Sequence, residues 1–134
     1  MSGESPAGVR HFDYELDPRF KSIWWPLGVR AGQGVTIDDD RLTARYGLFE
    51  LSTPLDNVVG GHITENYRWY TAIGVRLSFA DDGLTFGTAT RRGVCIHFSD
   101  RVGGVIPGKS HSALTVTVAD CAGLIDVIGD DTPA

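Results

Sequence analysis

Cys95 and His97 are the residues in this sequence best spaced to do chemistry together. They stand two positions apart in the alternating run Val94-Cys95-Ile96-His97-Phe98. In an extended chain, residues so spaced share one face. A thiol beside an imidazole is the minimum of a nucleophile and its base. Arg76 and Ser78 occupy the polar phase of another alternating run and would join them if the two strands were neighbours. The plainer reading is a solvent-facing strand that carries these residues incidentally. With nothing else to complete a catalytic set, no enzyme is expected and no catalytic residue is assigned.

Metal binding needs three or four converging ligands. His11, His62, His97 and His111 are far apart, with no Cys-x-x-Cys or His-Glu-x-x-His. Asp38-Asp39-Asp40 lacks the alternating acidic spacing of a calcium loop and reads as a solvated turn. Neither a metal nor a cofactor is expected. Gly103-x-x-x-x-Gly108-Lys109-Ser110 fits the spacing of a phosphate loop. Such a loop must lead into a helix, whereas Leu114, Val116 and Val118 alternate as a strand, so nucleotide binding is not expected.

Two aromatic clusters remain as candidate binding residues: Trp24-Trp25 before Pro26, and Tyr67-Arg68-Trp69-Tyr70 between two strands. Trp, Tyr and Arg dominate interface hot spots. Aromatic rings also fill cores. Trp24 and Trp25 lean towards the core or a barrel-end plug. Asn66 and Arg68 make the second cluster more polar and more suited to a surface.

The elements that must position these residues are mostly strands. Alternation marks Phe12-Tyr14-Leu16, Val35-Ile37, Leu42-Ala44-Tyr46, Phe49-Leu51, Ile73-Val75-Leu77-Phe79, Leu84-Phe86-Thr88, Val94-Ile96-Phe98 and Leu114-Val116-Val118. Gly47 makes a tight turn, and Gly60-Gly61 suggests a bulge in a further strand over 57–64. Asp81-Asp82-Gly83 closes a hairpin. One helix is predicted over 120–129, with Asp120 as N-cap and Gly129 as terminator. Residues 1–10 and 130–134 read as disordered tails around a single domain, 11–129.

Composition narrows the function. The 134 residues carry 12 basic and 17 acidic side chains, for a net charge of −5. Nucleic-acid partners favour a basic excess, so none is expected, and peripheral contact with anionic lipid is disfavoured too. The longest apolar run is far short of the ~20 residues of a membrane span. Two cysteines and no secretory signal suggest reduced thiols and a cytoplasmic protein.

The segment 35–58, Val-Thr-Ile-Asp-Asp-Asp-Arg-Leu-Thr-Ala-Arg-Tyr-Gly-Leu-Phe-Glu-Leu-Ser-Thr-Pro-Leu-Asp-Asn-Val, resembles the bacterial pleckstrin-homology-like family. The likeness lies in a strand, an acidic turn, a strand, a glycine turn, a strand and then Pro54-Leu55-Asp56-Asn57-Val58. Gly93 to Phe98 resembles the family's late strand, and Asp120 to Ile128 its closing helix. The resemblance implies a strongly bent, seven-stranded antiparallel sheet or barrel capped by one C-terminal α-helix. It also implies a binding or oligomerisation module. The clustered basic loop of phosphoinositide binders is not matched, since Arg19, Lys21 and Arg30 are spread apart.

The expected function is therefore non-catalytic binding, of a protein partner or of a second copy. The alternative is a small-ligand β-barrel whose tryptophans line an apolar cavity.

Overall fold

The computed structural model describes residues 9–38, 40–65, 74–77, 83–89, 92–106 and 108–130. The protein is mainly β, built from two sheets and a C-terminal helix. The first sheet is a meander of β1 (Arg10–Asp13), β2 (Gly34–Ile37), β3 (Arg41–Tyr46) and β4 (Phe49–Pro54). The alternation of the sequence becomes its two faces. Leu42, Ala44 and Tyr46 are buried, while Arg41 and Arg45 are exposed. Gly47 turns β3 into β4 with φ +61. A Cβ there would collide with the Leu27 carbonyl, so glycine is required twice over.

The second sheet has the order β5-β8-β9-β7-β6. Its strands are β5 (Val58–Glu65), β6 (Gly74–Leu77), β7 (Gly83–Gly87), β8 (Arg92–Gly103) and β9 (Ser110–Val116). Residues 78–82 lie outside the described residues, and the strands flanking them pair antiparallel. The expected bulge at Gly60-Gly61 is present, as a register shift between Val58 and Gly60. One pair departs from the antiparallel expectation: β9 enters between β8 and β7 and runs parallel to β7. Alternation specifies which face a side chain takes, not the direction of the neighbouring strand.

The sheets are joined at two corners. After β1 the chain crosses to the other sheet, where Tyr14 bridges Val118 and Glu15 N donates to Thr117 O at 2.8 Å. Thr88 Oγ1 reinforces the crossing by donating to Glu15 O at 2.6 Å. At the second corner Asn57 clasps the irregular stretch of β8. Its Nδ2 donates to Asp100 O (2.9 Å) and its Oδ1 accepts from Asp100 N (2.7 Å). No closed barrel forms among the described residues.

Tyr46, Phe86, Leu42, Leu51, Ile96 and Leu114 are wholly buried between the sheets. Tyr46 stacks on Phe86 at 5.2 Å, and Tyr14 meets Tyr46 edge-on at 5.6 Å. The Tyr46 hydroxyl donates to Gly87 O at 2.6 Å. Tyr14 is buried too, but among the described residues its hydroxyl has no hydrogen-bond partner. Burial, with Tyr46 nearby, raises the pKa of that phenol well above its ordinary value. An unpaired buried hydroxyl costs about 1–3 kcal/mol in desolvation. Tyr14→Phe should therefore raise stability by roughly 1 kcal/mol in urea unfolding. A loss of stability would contradict this account.

Helix α1 (Lys21–Trp24) is short and carries no periodic signal. Helix α2 (Cys121–Ile128) lies within the predicted range. Asp120 Oδ1 accepts from Gly123 N at 3.0 Å, and Gly129 ends the helix at φ 93. Leu124 and Cys121 face inward, and burial pushes the Cys121 thiol up. Beyond the helix, Gly129 O accepts from Gly61 N at 2.9 Å and Asp130 bridges Gly61. Arg10 pairs with Ile37, so both ends of the described chain are held against strands. Residues 1–8 and 131–134, where the tails are expected, lie outside the described residues.

Candidate functional site

The two adjacent tryptophans part company. Asp17 starts this segment by accepting from Arg19 N (3.0 Å) and from the Arg19 guanidinium (Nη2, 2.8 Å). The hydrogen bond with the Arg19 side chain holds the Asp17 carboxyl below its usual range. Pro18 fits the first position of the 3-10 turn Pro18–Phe20, which leads directly into α1. Trp24 then points into the core, with Nε1 donating to Asp17 O at 3.0 Å. Trp25, one step around, is 47% exposed.

Trp25 belongs to a patch held from several sides. Gly28 N donates to Trp25 O at 3.0 Å, closing the turn 25–28. Leu48, in the β3–β4 turn, is 88% exposed and its N donates to Leu27 O at 3.2 Å. The Gln33 side chain clasps that turn, accepting from Gly47 N (2.8 Å) and donating to Gly47 O (3.3 Å). The Arg30 guanidinium lies 4.0 Å from the Trp25 ring centroid and donates to Trp25 O and Val29 O. A cation over an indole face adds roughly 0.5–1 kcal/mol at an exposed site. The result is an exposed apolar pair, Trp25 and Leu48, beside two cations, Arg30 and Lys21 one helical turn back. This is anchor chemistry: rigid aromatic area with a polar handle.

The second grouping sits on the outer face of the other sheet. His62 on β5 is the register partner of Cys95 on β8, and His97 lies two residues further along the same face. Cys95 Sγ and His97 Nε2 are 3.7 Å apart, and the His62 and His97 rings stack with centroids 5.3 Å apart. All three side chains are half-buried, while Val94, Ile96 and Phe98 fill the core behind them. The fold thus adds to the expected thiol–imidazole pair a third donor from another strand.

Arg76 does not join it. The register aligns Arg76, Thr85, Thr115, Cys95 and His62 in one row, but β7 and β9 separate Arg76 from Cys95. Three strand spacings amount to roughly 14 Å. Ser78 and the cluster Tyr67-Arg68-Trp69-Tyr70 lie outside the described residues. His11 is on the first sheet, bonded to Thr36 (2.7 Å) and Asp13 (2.8 Å). Asp38 closes a turn by accepting from Asp40 N and Arg41 N, each at 2.8 Å, and those bonds lower its pKa. Gly103 ends β8 and Ser110 opens β9, so the phosphate-loop spacing falls on a strand-to-strand connection.

No protein-family model matches the chain, and neither a curated protein nor a solved structure is significantly similar to it.

Proposed function

We propose that this chain is a non-catalytic protein-binding module that docks its partner on Trp25, Leu48 and Arg30. The observation carrying the reading is the exposure of Trp25 and Leu48 on two separate turns that hydrogen bonds lock together. Large apolar side chains held rigidly in water lose little entropy on binding. The chain is acidic overall, yet this patch carries Arg30 and Lys21. Two copies meeting through it face to face would oppose like charges. The favoured partner is a different protein that offers an apolar pocket flanked by carboxylates.

A bent, barrel-like fold of the pleckstrin-homology type remains part of this proposal. The joined corners at Tyr14–Val118 and Asn57–Asp100 and the closing helix support it. The parallel β7–β9 pair is a departure from that pattern. The small-ligand alternative is less well supported. Trp24 is buried with its Nε1 bonded to Asp17 O, Trp25 is half exposed, and the cleft of about 460 Å³ between 52–57 and 99–103 is lined largely by polar groups such as Ser52, Asn57, Asp100 and Arg101.

The test is affinity capture from the native host with wild type, Trp25→Ser/Leu48→Ser, and Val59→Ser as a surface control. Val59 is exposed on β5, away from the patch. Losing a hot-spot anchor costs about 2 kcal/mol or more, roughly 30-fold in affinity. A prey kept by wild type and control, depleted at least tenfold by the double variant, and bound again once purified is the expected result. Preys indifferent to the double substitution, or none at all, would overturn the proposal.

A further inference from the structure

The geometry points to a transition-metal site of the zinc class, built by His62, Cys95 and His97 on the outer face of β5 and β8. It is independent of the docking patch, which lies on the loops of the other sheet.

The three donor atoms already converge, each within 4.8 Å of the others. Tetrahedral zinc with one thiolate and two imidazoles needs sulfur and nitrogen about 3.6 Å apart, from bonds of ≈ 2.3 and ≈ 2.0–2.1 Å. Cys95 Sγ and His97 Nε2 stand at 3.7 Å, so that edge of the tetrahedron is preformed. The His62 ring faces that of His97 at an interplanar angle of 25°, so it must reorient for both imidazoles to reach one ion.

The scaffold suits a site more than a chance cluster. Strand alternation alone places Cys95 and His97 on one face. It does not place a third ligand opposite Cys95, and that is where the register sets His62. The Val58/Gly60 bulge fixes that register, and Gly61 admits the Ile128 side chain, which a Cβ there would meet at 2.9 Å. β8 is bounded by a strand on each side. Donors on paired strands are held more firmly than donors on loops. Half-burial leaves room for an ion to enter while removing part of the competing water.

The donor set chooses the metal class. One thiolate and two imidazoles are borderline-soft ligands, suited to Zn²⁺, Co²⁺ or copper, and not to Mg²⁺ or Ca²⁺, which take oxygen. Binding exchanges the Cys95 thiol proton for the metal, and the proton leaves to solvent. No oxidation is involved. The described residues supply three ligands, which leaves a fourth position to water or another donor.

The test uses the full chain, reduced and stripped of metal, titrated with Co²⁺ in a non-chelating buffer. One equivalent should give tetrahedral d–d bands and a thiolate-to-cobalt charge-transfer band, and Zn²⁺ should erase both while excess Mg²⁺ does not. Cys95→Ser should remove the charge-transfer band, and Cys121→Ser should keep it. His62→Asn and His97→Asn should each weaken Co²⁺ binding by about 100-fold or more, since even outer-shell losses cost 10–100-fold. His11→Asn should change nothing. A chain that gives no such spectrum, or a spectrum that survives Cys95→Ser or His62→Asn, overturns the site. Circular dichroism of each variant separates lost ligation from lost fold. Should Cys95→Ser not fold, the His62→Asn titration decides alone.

Discussion

Replacing Tyr46 with alanine is expected to cost about 3–5 kcal/mol, the range for removing a buried aromatic ring. A domain of this kind holds only about 5–15 kcal/mol in total, so the variant should be at the edge of unfolding or beyond it. The reason is where Tyr46 sits. It is the last residue of β3 and wholly buried, yet its ring stacks on Phe86 of β7 and its hydroxyl bonds Gly87 O. It therefore couples the two sheets by packing and by a hydrogen bond at once. Tyr46→Phe separates the terms: it keeps the stack and removes the hydroxyl's hydrogen bond to Gly87 O, at about 0.5–1.5 kcal/mol. Urea unfolding of both variants measures this. An alanine variant within about 1 kcal/mol of wild type would mean that the sheets are coupled elsewhere.

Gly47→Ala is the second large effect. The φ of +61 costs an L side chain about 1–2 kcal/mol. The new Cβ would also strike the Leu27 carbonyl, the acceptor for Leu48 N, adding about 1–3 kcal/mol of overpacking. Backbone would have to move, and the Trp25 turn would move with it. Gly32→Ala is the control: φ is +94 but nothing lies within 4 Å of the added atom. It should lose only the conformational part. Similar losses in both variants would show that the contact with Leu27 is unimportant. In the proposed reading, Gly47→Ala also weakens partner capture, because the clash displaces the Leu48 turn from the Leu27 carbonyl that holds it beside the Trp25 turn.

What the sequence made legible was local. Leu42, Ala44 and Tyr46 alternate with polar residues, and their burial follows. Asp120 and Gly129 bracket the final helix because capping chemistry is written in adjacent residues. Gly60-Gly61 marks its bulge for the same reason. What depends on neighbours distant in sequence was not legible. Nothing around His62 or Cys95 says that their strands pair, so the cluster emerges only from the register. The parallel approach of β9 to β7 has no periodic signature either. Trp24 and Trp25 differ in fate by one step of a four-residue helix, too short to display a face. Of the six aromatic-cluster positions singled out, Tyr67, Arg68, Trp69 and Tyr70 lie outside the described residues.

The position of β9 also sets a timetable. β1 to β4 pair in the order in which a ribosome delivers them, so the first sheet can form as it emerges. The second cannot. β5 waits for β8, and the β6–β7 pair stays detached until β9 slots between β7 and β8. Until that stretch has been synthesised, β8 and β7 each present an open edge, the kind of surface on which nascent chains aggregate. Contacts so distant in sequence close slowly. Completion of the second sheet thus waits for Ser110–Val116, the segment that turns two separate strand pairs into one sheet.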